Sequence, residues 1–182
     1  MGRDLKLADA ERRYLEILGI DTHHVEAYKG LAALYLKQKW YPQAFETFQF
    51  IVKMKRADDV VYAGLAEIAE AQENPIEAER MRLKAVECSP GQPQRHAELA
   101  GYYIQQGHPE KALSSIKQAT ELDAKSGKYL EMELEVALRM EHPKEARKYY
   151  DHLRLVTDDR TRFQSWREKV EALEAKKGEK GK

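Results

Sequence analysis

The sequence predicts an all-α protein assembled as a stacked array of helix pairs, and three observations predict it. One alanine recurs: Ala10, Ala44, Ala78, Ala112 and Ala146 each lie 34 residues beyond the last, with no gap needed to hold the register. Bulkier residues keep the same step. Tyr14, Phe48, Arg82, Ile116 and Tyr150 follow each alanine by four, and Ile17, Ile51, Ala85, Ala119 and Leu153 follow it by seven. A small residue with larger ones four and seven positions on marks one face of a helix. A second stripe precedes each copy except the first: Tyr28, Leu31, Ala32, Tyr35; Tyr62, Leu65, Ala66, Ala69; His96, Leu99, Ala100, Tyr103. The fourth copy, Leu130, Leu134 and Ala137, is degenerate, with Glu133 where the others carry leucine. A period of this length describes a helical array rather than a globule with one core.

These columns resemble the tetratricopeptide repeat. In that family the first of two antiparallel helices carries an aromatic, a Leu-Gly/Ala pair and a tyrosine, and the second carries Ala, aromatic, Ala. The resemblance runs from Ala10 to Trp166. It implies a right-handed α-solenoid of tandem 34-residue helix-turn-helix repeats closed by a C-terminal capping helix.

In chain order, residues 1–24 read as the second helix of a truncated repeat. Ala10, Tyr14, Ile17 and Ile20 keep the register, yet no first helix precedes them. The chain is therefore expected to start inside a repeat, with an apolar face including Leu5, Leu7, Tyr14, Leu15 and Leu18 left without a cover, which invites self-association. Repeats follow at 25–58, 59–92, 93–126 and 127–160. Within repeats, Asn74-Pro75, His108-Pro109 and His142-Pro143 set proline where a new helix begins, since the missing N–H costs nothing in a first turn. Asn74 is a good N-cap and the two histidines are poorer ones. Between repeats, Ser89-Pro90-Gly91-Gln92-Pro93 is the clearest breaker, and Ser126-Gly127 does the same. Residues 161–176 form the expected cap: Phe163, Trp166, Val170 and Leu173 make one narrow apolar stripe among charged neighbours. Residues 177–182 are expected to be a disordered, solvated tail.

Composition narrows function. Lys+Arg 31 against Asp+Glu 31 gives a formal net charge of 0, so no global field draws the chain to nucleic acid or an anionic membrane. The single Cys88 excludes an internal disulfide framework and reads as a small buried hydrophobe. Nothing approaches the roughly 18 consecutive apolar residues of a membrane span. The first residues lack a secretory signal's apolar core. A cytoplasmic protein, or the soluble domain of a membrane-anchored one, is expected. The resemblance adds that bacterial arrays of this kind are often soluble parts of membrane-anchored assembly proteins, with room for an anchor before Met1.

No phosphate loop, dinucleotide fingerprint, H-E-x-x-H or G-x-S-x-G occurs, so no enzymatic activity and no cofactor is expected. His23 and His24 are neighbours whose side chains diverge, and His108 and His142 occupy equivalent turns. They read as turn residues rather than metal ligands. His96 fills an aromatic core column and reads as a packed histidine.

The resemblance leaves the outward columns of the first helices as the surface for a partner. They are Glu26, Lys29, Ala33, Leu36 and Lys37; Val60, Ala63, Glu67 and Glu70; Gln94, Ala97, Gly101, Ile104 and Gln105; Lys128, Glu131, Glu135 and Leu138. Their middle is small and weakly apolar. That suits a bound peptide or helical segment of a partner protein, or else it lets neighbouring first helices pack closely. Chaperone-binding members of the family grip terminal carboxylates with Lys and Asn on one first helix, Asn on the next, and Lys and Arg on the third. Only Lys29 fits; Ala33, Gly64, Gln94 and Glu98 stand at the other places. A chaperone clamp ligand is not expected. Neither is RNA, because Glu67, Glu70, Glu131 and Glu135 make the groove acidic.

Overall fold

In the structure, a computed structural model, every first helix starts and ends on the same step of 34 residues. The structure describes residues 2–157 and 160–180, with side chains for 7–157 and 163–178. Among them lie ten helices and no strand. The first helices are α2 (Val25–Lys37), α4 (Asp59–Ala71), α6 (Pro93–Gln105) and α8 (Gly127–Arg139), each 13 residues long. Their partners are α3 (Tyr41–Lys53), α5 (Pro75–Cys88), α7 (Pro109–Leu122) and α9 (Pro143–Val156). A lone helix α1 (Gly2–Ile20) precedes the pairs, and α10 (Arg160–Lys180) follows them.

The turn inside each pair repeats too. Lys39, Glu73, Gly107 and Glu141 have positive φ of 60°, 55°, 73° and 53°. This left-handed residue ends each first helix, and the next N–H folds back to a carbonyl five residues earlier: Trp40 to Tyr35 (2.9 Å), Asn74 to Ala69 (2.9 Å), His108 to Tyr103 (2.9 Å) and His142 to Ala137 (3.0 Å). The Asn74 side chain caps the Glu77 N–H at 3.2 Å, whereas neither His108 nor His142 makes a side-chain cap. His24 does cap, accepting from the Ala27 N–H through Nδ1 at 3.1 Å, so this turn residue starts α2.

The chain divides into two compact units, Met1–Ser89 and Pro90–Lys182, at the proline-glycine breaker. In the first, Ala44, Phe48, Ile51, Ala32, Val61, Leu65 and Ala66 form the main core. In the second, Leu130, Leu134, Ala146, Tyr150 and Leu153 take up Val170 and Leu173 of α10. The recurrent alanine is the tightest column. Ala44, Ala78, Ala112 and Ala146 are wholly buried, while Ala10 is half-exposed.

Four expectations need correcting. Cys88 is exposed rather than buried, because it is the last residue of α5 and lies beyond the packed turn. His96 is half-buried at the edge of its stripe, where Nε2 meets the Pro90 carbonyl at 2.8 Å. Leu18 is buried against Ala27 and Leu31 rather than left without a cover, because it faces α2, while the side chain of Leu5 lies outside the described residues. Helix α10 continues to Lys180 instead of ending at 176, since Ala175, Lys176 and Lys177 are good helix formers; residues 181–182 lie outside the described part. Among the described residues no helix is long and apolar enough to cross a membrane.

Candidate functional site

The outward columns of the first helices divide into residues that offer surface and residues already committed to the fold. In the first unit, α2 and α4 pack directly against each other. Ala33, Lys37, Val60 and Glu67 are exposed, and Ala63 is half-buried between them. Lys29 is not available as a free cation. Its side chain is only 15% exposed, and Nζ donates to Asp58 and, at 2.9 Å, to Glu26. Burial alone would lower its pKa; the two carboxylates outweigh that and hold the ammonium above the usual lysine range. Leu36 is half-buried and packs against the core. Glu70 is committed as well, because Arg82 Nε donates to its carboxylate at 2.5 Å.

That last pair explains a break in the repeat. Arg82 stands in the column of Tyr14, Phe48, Ile116 and Tyr150, where an aromatic or aliphatic side chain packs. A guanidinium cannot be left bare there, so Glu70 on the neighbouring helix neutralises it. Phe48 and Tyr14 fill the column differently. A Cβ on Gly64 would sit 2.4 Å from the Phe48 ring, and one on Gly30 would sit 2.4 Å from the Tyr14 ring. These two glycines, 34 residues apart, let an aromatic ring lie against the helix backbone.

In the second unit Ala97 is 5% exposed and packs with Ala100, Ile116 and Ala119, so it offers no surface. Gly101 is half-buried beside Met132, whose Cε lies 4.0 Å from where a Cβ would stand. Ile104 and Glu131 are half-buried and Lys128 is exposed. Glu135 accepts from Arg139 at 2.7 Å. Of the polar or small residues singled out in these columns, Lys29, Glu70, Ala97 and Glu135 are engaged elsewhere in the fold.

Other features were not singled out in the sequence. A cleft of about 810 Å³ opens between α9 and α10, with Arg147, Tyr150, Arg154, Phe163 and Arg167 in its wall. Two of its arginines are already paired: Arg147 with Glu174 at 2.5 and 2.9 Å, and Arg167 with Glu171 at 2.7 Å. Arg147 and Arg154 flank the Tyr150 ring at 5.8 and 5.9 Å from its centroid. The spacing Arg147, Tyr150, Arg154 along one helix face was the available signal. A second groove of about 490 Å³ lies on α1 and is lined by Asp9, Ala10, Arg13, Tyr14 and Ile17.

Solved structures of tetratricopeptide-repeat proteins superimpose on this chain over most of its length. YrrB, described as a TPR protein with an unusual peptide-binding site, is 18% identical with a TM-score of 0.70, over 92% of this chain and 86% of its own. PilF of Pseudomonas aeruginosa is 15% identical with a TM-score of 0.68, over 95% and 90%. TTC0263 of Thermus thermophilus is 19% identical with a TM-score of 0.65, over 90% of each chain. No family model and no curated protein sequence matches the chain. At these identities the likeness establishes the fold.

Proposed function

From the tetratricopeptide-repeat fold of this chain, we propose that it is a non-catalytic protein-interaction scaffold that holds a peptide or helical segment of a partner along its first helices. The observation that carries this reading is the surface of α2 and α4. Ala33, Val60 and Ala63 present small and apolar groups on two adjacent helices, and Glu67 stands exposed one turn beyond Ala63. Small side chains give a ligand close access to helix backbone, and the carboxylate sets a preference for a segment with a basic residue near its middle. YrrB, with its described peptide-binding site, supports the same class of ligand. In the second unit Gly101, Ile104, Lys128 and Glu131 are the corresponding candidates.

A photo-crosslinking residue at position 63, with one at exposed position 124 as the outward control, tests the assignment. The expected result is a partner-derived peptide crosslinked from 63 and not from 124, and lost in Glu67→Lys at unchanged melting temperature. Glu70 is not a suitable site for the reversal because its carboxylate is an ion-pair partner of the mostly buried Arg82. Equal labelling from both positions would move the binding surface off the first helices. Self-association is the second reading, favoured by the groove on α1.

A further inference from the structure

The two faces of α1 have different fates. One is docked. Leu18 packs on Ala27 and Leu31, the Tyr14 ring lies over Gly30, and the Tyr35 hydroxyl donates to Glu11 at 2.9 Å. Burial, reinforced by that carboxylate, pushes the Tyr35 phenol up to about 12, so the bond keeps its proton throughout the physiological range. The other face carries the recurrent alanine. At Ala44, Ala78, Ala112 and Ala146 that position is wholly buried, but at Ala10 it opens into the groove, with Ile17 38% exposed.

The order of charges on this face says what fits it. Asp9 and Arg13 are one helical turn apart along a single edge, and Ala10 and Tyr14 occupy the adjacent edge with the same spacing. A two-fold axis crossing α1 between these residues turns a second α1 antiparallel while keeping each edge against its own kind. Asp9 then meets Arg13 of the other copy and Arg13 meets its Asp9. On the other edge the Tyr14 ring meets the small Ala10. A parallel arrangement sets the Asp9–Arg13 edge against the Ala10–Tyr14 edge instead, and the charges meet no opposite charge. Asp9 already touches Arg12 of its own helix at 3.1 Å, which leaves its second oxygen for the arginine across the axis. We infer that the open face of α1 is a homodimer interface, occupied by α1 of a second copy of this chain in antiparallel orientation. This does not depend on the first-helix surfaces proposed above for a partner segment.

Sedimentation velocity on the intact chain across a dilution series, with Asp9→Arg and Arg13→Asp, tests it. The wild type is expected to pass from monomer to dimer with rising concentration. Each reversal faces like charges across the axis and should raise the dissociation constant at least about tenfold. An equimolar mixture of the two variants should dimerise again. Positions 9 and 13 are then both arginine in one copy and both aspartate in the other, so opposite charges meet at each crossing of the axis. That rescue also shows that the variants are folded. A wild type that stays monomeric at every concentration would overturn the inference and leave the groove to a segment of another protein. A dimer indifferent to both reversals, or weakened by them without rescue in the mixture, would overturn the antiparallel pairing.

Discussion

Helices α1 and α10 both flank the paired repeats, and they are finished in different ways. On α10, Val170 is fully buried and Leu173 is 9% exposed, while Phe163 and Trp166 pack against the same core. Two ion pairs fasten it: Glu174 to Arg147, and Lys176 to Glu141. Its other side is charged, and Lys169 lies over the Trp166 ring at 4.4 Å from the centroid. On α1 only Leu18 is buried among the described residues, and Ala10, Tyr14 and Ile17 line an open groove. A helix with one apolar stripe and a charged back ends an array; a helix with apolar residues on two sides keeps one side for something else.

The largest expected effect comes from charging the two apolar contacts. Val170→Asp places a carboxylate where no water reaches and should cost about 3 kcal/mol or more. Ile17→Asp, already in contact with solvent, should change monomer stability by less than about 0.5 kcal/mol. Urea midpoints measured on the two variants at low protein concentration check the contrast, and equal losses would dissolve it.

The glycine contacts sharpen the same comparison. Gly64→Ala drives a methyl against the Phe48 ring, which is 2% exposed and has nowhere to move; overpacking should cost about 1 to 3 kcal/mol, less about 1 kcal/mol returned by alanine's helix propensity. Gly30→Ala meets Tyr14, whose ring borders the open groove and can swing into it. That variant should be close to neutral by thermal denaturation.

Glu133 gives a pH-dependent effect confined to the second unit. Its side chain is 4% exposed in a column that holds leucine in the other repeats. Burial raises its pKa above the usual carboxylate range, Thr120, Lys117 and Lys148 pull it back, and Glu121 adds to the rise. The sign follows from linkage. As pH climbs from below the ordinary glutamate value through the raised one, the unfolded chain gives up the proton first, so stability is full on the acid side and falls across that window. Glu133→Leu should remove this dependence and stabilise the protein at neutral pH by about 1 kcal/mol or more. Urea midpoints at acidic and neutral pH read both outcomes.

The smallest effect is in the turns. Glu73 and Glu141 hold left-handed backbone that Gly107 adopts without strain at the equivalent place. Glu73→Gly should gain about 0.5 kcal/mol, the relief of strain less glycine's entropy. A differential melting scan detects it, and a loss would show that the Glu73 side chain contributes more than its backbone costs.

The packing register was legible in the sequence because it depends on spacing alone. The alanine column, the helix starts at proline and the break at Ser89–Pro93 all follow from periodicity and backbone chemistry, which are local. The surface was less legible. A column assigns a direction to a side chain, but it does not say which neighbour reaches it. Glu70 and Lys29 point outward in the sequence, yet Arg82 and Asp58, 12 and 29 residues away, claim them. Ala97 was placed outside because its column is outward in the other repeats, whereas in α6 it joins the core with Ile116 and Ala119. Cys88 erred the opposite way: an apolar column continued one residue past the packed turn.

One series tests the central claim, that a single 34-residue register sets the packing and that only its first copy is open. Leucine is introduced in turn at Ala10, Ala44, Ala78, Ala112 and Ala146, and unfolding free energies are measured at one low concentration. The account predicts losses of about 1 to 3 kcal/mol at the four buried positions and little or none at Ala10. Five equal losses, or four variants as stable as the wild type, would contradict it.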